Sequence, residues 1–184
     1  MNKKFNPRIK ARLRKNRQVL NKNIDNFFGW VKGEKLVELK ECNPKEDPVR
    51  PELDNKFRTG YGRKIFGVEY LGEIHAVMCF GYTNEIPKSV EELEKLSTDA
   101  FLQTAMRDQS GGQIAIAYTV WSKKKGGGKL IVKEVFKNIK KSNHLNRLVT
   151  LSPLTEMATK FHERNGAKLI QINETTQNFE YKVM

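Results

Sequence analysis

Hydrophobic positions along the chain change period several times, and each change marks an element. Ile9, Leu13, Leu20, Ile24, Phe27 and Val31 recur at three-, four- and seven-residue steps, the spacing of one helix face, and predict an amphipathic helix within residues 1–32. An alternating run at Leu36–Leu39 predicts a short strand. Pro44, Pro48 and Pro51 then mark a loop, because proline lacks the amide that helix and sheet require. Phe57, Arg58, Tyr61, Arg63 and Lys64 interleave aromatic with basic residues and read as strand. Lys64–Tyr70 and Ile74–Tyr82 are β-branched and aromatic runs three residues apart, which is hairpin spacing. Ser89, three residues ahead of Glu92, opens a helix that runs through Leu96 and, after a break, toward Met106, with Gly111 and Gly112 ending it. The second half has a tighter rhythm: a strand at Gln113–Trp121, a lysine and glycine loop, a helix at Lys129–Lys140 and a strand at Arg147–Leu151. A second loop and helix within Ser152–Asn165 follow, then strands at Lys168–Ile172 and Phe179–Val183. This succession predicts a mixed α/β sheet with crossovers.

Length and composition narrow the class. With 184 residues, 38% of them hydrophobic, the chain can build one sizeable core. No apolar run approaches the roughly 18 residues that cross a bilayer, and the N-terminus has no signal-type apolar core, so the expected compartment is the cytoplasm, without membrane contact. Cys42 and Cys79 are too few for a four-cysteine zinc site, and His75, His144 and His162 lack ligand spacing with them, so no metal is expected. Charge is distributed unevenly. Residues 1–32 hold ten Lys or Arg against Asp25 alone, a net +9 of the chain's +13. The expected organisation is therefore a basic helical arm, 1–32, packed on a body, 33–184. The arm's charge suits nucleic-acid phosphates or another acidic partner.

Two segments carry candidate chemistry. Lys123-Lys124-Lys125-Gly126-Gly127-Gly128-Lys129 joins a strand to a helix whose apolar positions are Leu130, Ile131, Val135, Phe136 and Ile139. Glycines let backbone approach a ligand closely, the first helical amides have no internal partner, and the lysines add positive charge, so the loop suits a phosphate or pyrophosphate. It is not a nucleotide-binding P-loop, because Leu130 follows Lys129 where Ser or Thr would hold magnesium. Further on, Thr155 is placed to cap a helix, Met157, Ala158 and Phe161 to face the core, and Gly166 to end the helix in a left-handed conformation.

Lys123-x-x-Gly126-x-Gly128 resembles the acyl-CoA loop of the GCN5-related N-acetyltransferases (GNAT), Arg/Gln-x-x-Gly-x-Gly/Ala. The resemblance implies an α/β (α+β) fold of three layers: a twisted, mixed but mostly antiparallel sheet with helices on both faces. It further implies that the loop Lys123–Lys129 holds the CoA pyrophosphate and that Tyr118, Thr119 and Val120 bind the pantetheine and polarise the thioester. Asn165 joins this cofactor-binding set. His162 stands where many members carry the tyrosine that protonates the departing thiolate. Residues 113 to 183, with Leu151-Ser152-Pro153 and Phe161-His162-Glu163-Arg164-Asn165-Gly166-Ala167, are also similar to the C-terminal catalytic domain of malonyl-CoA decarboxylase, in which the matching serine and histidine act on the malonyl group. Ser152 and His162 are the implied catalytic residues. The leading expectation is an N-acyltransferase that passes an acyl group from acetyl-CoA or another acyl-CoA to an amine not identifiable from sequence. The alternatives are a decarboxylase-like enzyme acting on malonyl-CoA or a related acyl-CoA and a catalytically degenerate GNAT-like module that binds nucleic acid or an acidic partner through the arm.

Overall fold

The computed structural model describes residues 33–107 and 112–181; the helix expected within 1–32, and the arm it would form, lie outside the described residues. Eight strands follow in chain order: β1 (Lys35–Leu39), β2 (Lys64–Tyr70), β3 (Glu73–Thr83), β4 (Ile114–Ser122), β5 (Arg147–Thr150), β6 (Ser152–Pro153), β7 (Ala167–Ile172) and β8 (Thr176–Tyr181). Four α-helices join them among the described residues: α1 (Asn55–Thr59), α2 (Val90–Arg107), α3 (Gly127–Lys140) and α4 (Glu156–Arg164). The sheet runs β1-β2-β3-β4-β5-β8, with β7 also paired to β8; among the described residues only β4 and β5 pair in parallel. Strand alternation gives the sheet two apolar faces. Met78, Phe80, Ala117, Leu148 and Phe179 meet Ile131 and Val135 of α3 on one, while Ile65, Cys79, Ile116 and Val149 meet Leu93 of α2 and Phe57 of α1 on the other. Helices thus cover both faces, the expected three layers.

Local chemistry explains the boundaries that differ from expectation. Phe57 and Arg58 are helical rather than extended, because the Asp54 carboxylate accepts a hydrogen bond from Phe57 N (2.7 Å) and starts α1. Left-handed Tyr61 and Gly62 then turn the chain into β2. The β2–β3 turn is tighter than three residues: Tyr70 pairs with Glu73, and Leu71 and Gly72 both take positive φ, the geometry of a two-residue hairpin turn. α2 continues through Ser97 without a break, since that buried hydroxyl donates to Glu94 O (3.1 Å) and accepts from Arg63 Nη1 (2.9 Å). Ser152 belongs to β6, and Thr155 caps α4 by accepting from Ala158 N (3.3 Å).

One irregularity opens the sheet. β4 and β5 pair only from Ile114–Arg147 to Ala117–Thr150, ending with Leu151 N donating to Ala117 O (2.9 Å). Opposite Phe80 and Cys79, β4 supplies Ala117 and Thr119, so Tyr118 is an extra, bulged residue. Beyond it β4 continues to Ser122, whereas the β5 line resumes as β6 along β8: Leu148 faces Tyr181 and Ser152 faces Gln177 in one unchanged register. In the gap, side chains replace rungs of the ladder, with Phe179 N donating to Thr150 Oγ1 (3.0 Å) and Asn178 Nδ2 to Thr150 O (2.8 Å). The two strands therefore part like a fork. Among the described residues no helix is long and apolar enough to cross a membrane, and no cluster of His, Cys, Asp and Glu is arranged to hold a metal.

Candidate active site

A cavity of about 270 Å³ fills the fork. It is lined by Ala117 and Leu148 of the sheet, Val132 of α3, Phe161 and His162 of α4, and Pro48 and Val49 of the proline loop. It leads into a surface groove of about 930 Å³ between the lysine and glycine loop and α4, where Lys160, Arg164 and Asn165 face the loop. Ser122, Gly128, Met157 and Phe161 line both spaces, so a cationic groove runs into an apolar chamber.

The loop is held by its own backbone. The amides of Lys123 and Lys124 donate to His75 O (2.8 and 3.3 Å) and that of Gly127 to Lys124 O (3.0 Å). Gly126 is left-handed at φ 86°, while Gly128 approaches the Phe161 ring so closely that a Cβ would lie 3.1 Å from it. α3 begins at Gly127 rather than Lys129, which leaves the amides of Gly128 and Lys129 in the first helical turn without a helical acceptor. Gly127 departs from expectation. It is buried, a Cβ there would lie 2.7 Å from His75 O, and its amide is already committed, so it packs the loop instead of lining the groove. Lys123 pairs with Glu46 (2.5 Å) and Lys124 with Glu73 (3.3 Å), both at the surface. Among the described residues, Lys125, Lys129 and Arg164 have no acidic partner. Asn165 caps α4, its Nδ2 donating to Phe161 O (2.8 Å), and borders the groove.

Ser152 and His162 meet where β6 faces α4. His162 is buried, with Nε2 at 2.7 Å from Ser152 Oγ and Nδ1 at 2.9 Å from the Tyr181 hydroxyl. Its ring stacks on Phe179 (5.1 Å, 27°) and meets Phe161 edge-on (5.1 Å, 79°). Ser152 in turn donates to Thr150 Oγ1 (3.1 Å). Tyr181, Phe179 and Gln177 alternate onto one face of β8, so that strand supplies the ring's floor and its Nδ1 partner. Burial pushes the His162 imidazole down to about 4 and the Tyr181 phenol up, leaving both neutral at pH 7.

That depression has a measurable consequence. The unfolded chain's imidazole takes a proton near 6.5 and the folded one only near 4, so between those values the unfolded state binds more protons and stability falls as pH falls. The whole effect is about 3 kcal/mol. Urea unfolding at pH 7 and pH 4 is expected to show this loss, and His162→Phe to remove it from the pH dependence.

Tyr118, Thr119 and Val120 line the cavity, and two polar groups of this segment are held by the protein itself. The Tyr118 carbonyl accepts from Arg50 Nε (3.0 Å) and the Thr119 hydroxyl donates to Asp47 (2.8 Å). Behind them lies an ion cluster with no distinct sequence signal: Asp47 pairs with Arg58 (2.9 Å), both side chains fully buried. Arg58 also donates to Arg50 O (2.8 Å), Leu53 O (2.9 Å) and Cys79 Sγ (3.3 Å). Trp121, another wall residue, has its indole N–H buried without a partner among the described residues.

No protein-family model matches the chain, and no curated protein matches it in sequence. Solved structures share its fold. The chain is similar over 82% of its length to all of GphF, a GNAT-like decarboxylase in complex with isobutyryl-CoA, with 10% identity and a TM-score of 0.63. The chain has the GNAT fold. A Bacillus subtilis acetyltransferase in complex with CoA is similar over 83% of this chain and all of its own (11% identity, TM-score 0.55). The loading GNATL domain of CurA from Lyngbya majuscula is similar over 82% of this chain and 98% of its own (13% identity, TM-score 0.56). GNAT architecture thus places the fork, the lysine and glycine loop and α4 around one continuous space.

Proposed function

We propose that this protein is an acyl-CoA enzyme whose reaction is decarboxylation of a malonyl-type thioester. The observation that carries this reading is the Ser152–His162 pair, 2.7 Å apart and buried at the apolar end of the cationic groove. Lys125, Lys129 and the free amides of Gly128 and Lys129 would receive the pyrophosphate, with Lys160 and Arg164 opposite. The acyl thioester would then lie in the fork.

Decarboxylation breaks the bond between C2 and the carboxylate, releases CO2, leaves the electron pair as a thioester enolate and needs one proton at C2. An apolar chamber destabilises the localised carboxylate more than the delocalised enolate, and it accepts neutral CO2. Ser152 and His162 supply the polar contacts for the carboxylate and the proton for C2. His162 is neutral in the free protein, but a carboxylate within a few ångströms favours the imidazolium, so this substrate class brings the counter-charge that loads its own acid. An amine acceptor, by contrast, arrives as an ammonium and must lose a proton, and no Asp or Glu lines the chamber among the described residues. That difference moves decarboxylation ahead of N-acyl transfer.

Mass spectrometry of malonyl-CoA mixed with the protein, without amine, provides the test. Accumulation of acetyl-CoA and CO2 is expected. Intact malonyl-CoA, together with CoA release from acetyl-CoA when amines are added, would replace this reading with N-acyl transfer.

A further inference from the structure

We propose that Arg50 is a positioning residue, the wedge that holds β4 and β5 apart and so sets the shape of the acyl site; the part that concerns turnover rests on the function proposed above. After Leu151 N donates to Ala117 O, a continuing parallel ladder would give Leu151 O an amide of β4. Leu151 O instead accepts from Arg50 Nη2 (3.2 Å), while Arg50 Nε donates to Tyr118 O (3.0 Å). One guanidinium therefore bridges the two strands where they part. Its donors sit in a rigid plane, so the separation of the two carbonyls is fixed by the residue itself.

The wedge is anchored from behind. Arg50 N donates to Asp47 Oδ1 (3.1 Å) and Arg50 O accepts from Arg58 Nη2 (2.8 Å), so both backbone ends of the residue are tied to the buried Asp47–Arg58 pair. The preceding residues, Pro48 and Val49, are cavity wall. Without the guanidinium, two buried carbonyls lose their donors, and the cheapest relief is for β4 and β5 to close toward each other or take in water. Either change alters the fork but leaves the lysine and glycine loop and the groove face of α4 as they are. Arg50 would then act on the acyl group and not on the nucleotide end of the cofactor.

The test compares wild type with Arg50→Met, which keeps the stem but has no donors, and Arg50→Lys, which keeps the charge but not the planar fork. Amide hydrogen exchange is followed at residues 117–122 and 150–152, with and without added guanidinium ion. In Arg50→Met, exchange at these two segments is expected to accelerate roughly tenfold or more while α3 and the β2–β3 hairpin are unchanged. Guanidinium ion should reverse it, and Arg50→Lys should fall between. CoA binding by calorimetry should stay within about threefold, while kcat for malonyl-CoA falls roughly tenfold or more with little change in KM. Unchanged exchange at the fork would overturn the proposal. So would faster exchange throughout the protein that guanidinium ion does not reverse, because that pattern describes a general loss of stability. If wild type turns over no malonyl-CoA, the functional reading fails, and fork exchange with its guanidinium reversal still decides the wedge.

Discussion

His162→Gln is expected to slow CO2 release from malonyl-CoA by roughly 10²- to 10⁴-fold, the usual contribution of a positioned acid or base. CoA binding should be almost unaffected, since none of the loop lysines touches the ring. Glutamine keeps polar atoms near Ser152 and the Tyr181 hydroxyl, so the chamber need not refill with water, but it cannot carry a proton to C2. Ser152→Ala should cost less. It removes the Nε2 partner and the link to Thr150, but leaves the imidazole stacked on Phe179 and able to reach the substrate. Tyr181→Phe isolates the other side of the ring: with Nδ1 no longer partnered, the tautomer at Nε2 is no longer fixed by the protein. Stopped-flow measurement of CO2 release, alongside calorimetry of CoA, checks the series. Equal loss of turnover and CoA binding in His162→Gln would move the histidine from chemistry to cofactor binding.

The part of this site visible in the sequence is the part built from contiguous residues. A loop of lysines and glycines ahead of an amphipathic helix declares its chemistry locally, and so does a capped helix ending in Asn165-Gly166, because both depend on backbone conformation within a few residues. The contact of Ser152 with His162 is less local. They lie ten positions apart, and their meeting depends on α4 folding back so that the ring stacks on Phe179 of β8 and meets Tyr181 edge-on. Gly127 was legible as a glycine of the loop but not as the one that packs inward, since only the approach of His75 and Ser122 distinguishes it from Gly126 and Gly128. The buried cluster lay further out of reach. Proline spacing marks residues 44–51 as loop, and charged residues in a loop ordinarily face water. Asp47 and Arg50 do not, because α1 delivers Arg58 against them and the parting of β4 and β5 leaves two carbonyls for Arg50 to fill. α1 itself was obscured by the aromatic residues at Phe57 and Tyr61, whose strand preference yields to the Asp54 cap.

Arg58→Met is expected to be the most destabilising of the substitutions considered, by about 3–5 kcal/mol, because it leaves the Asp47 carboxylate buried without its counter-ion. Arg58 also satisfies Leu53 O and Arg50 O, and a thioether offers neither a donor. With natural domains stable by only about 5–15 kcal/mol, such a loss brings the protein close to unfolding at 25 °C, and urea titration is the direct measurement. Asp47→Asn should be milder. The amide oxygen can still accept from Thr119 and from the amides of Val49 and Arg50, and an Arg58 left without its carboxylate keeps two carbonyl acceptors. Replacing both partners, Asp47→Leu with Arg58→Met, removes the stranded charge and should recover part of the single-variant loss, as buried ion pairs exchanged for apolar groups generally do. It should not recover all of it. The Thr119 hydroxyl and two backbone amides would then face leucine, and each unpaired buried donor costs about 1–3 kcal/mol. Recovery beyond wild-type stability in the double variant would mean that these donors find other partners, and that the cluster is less tightly built around Asp47 than its hydrogen bonds indicate.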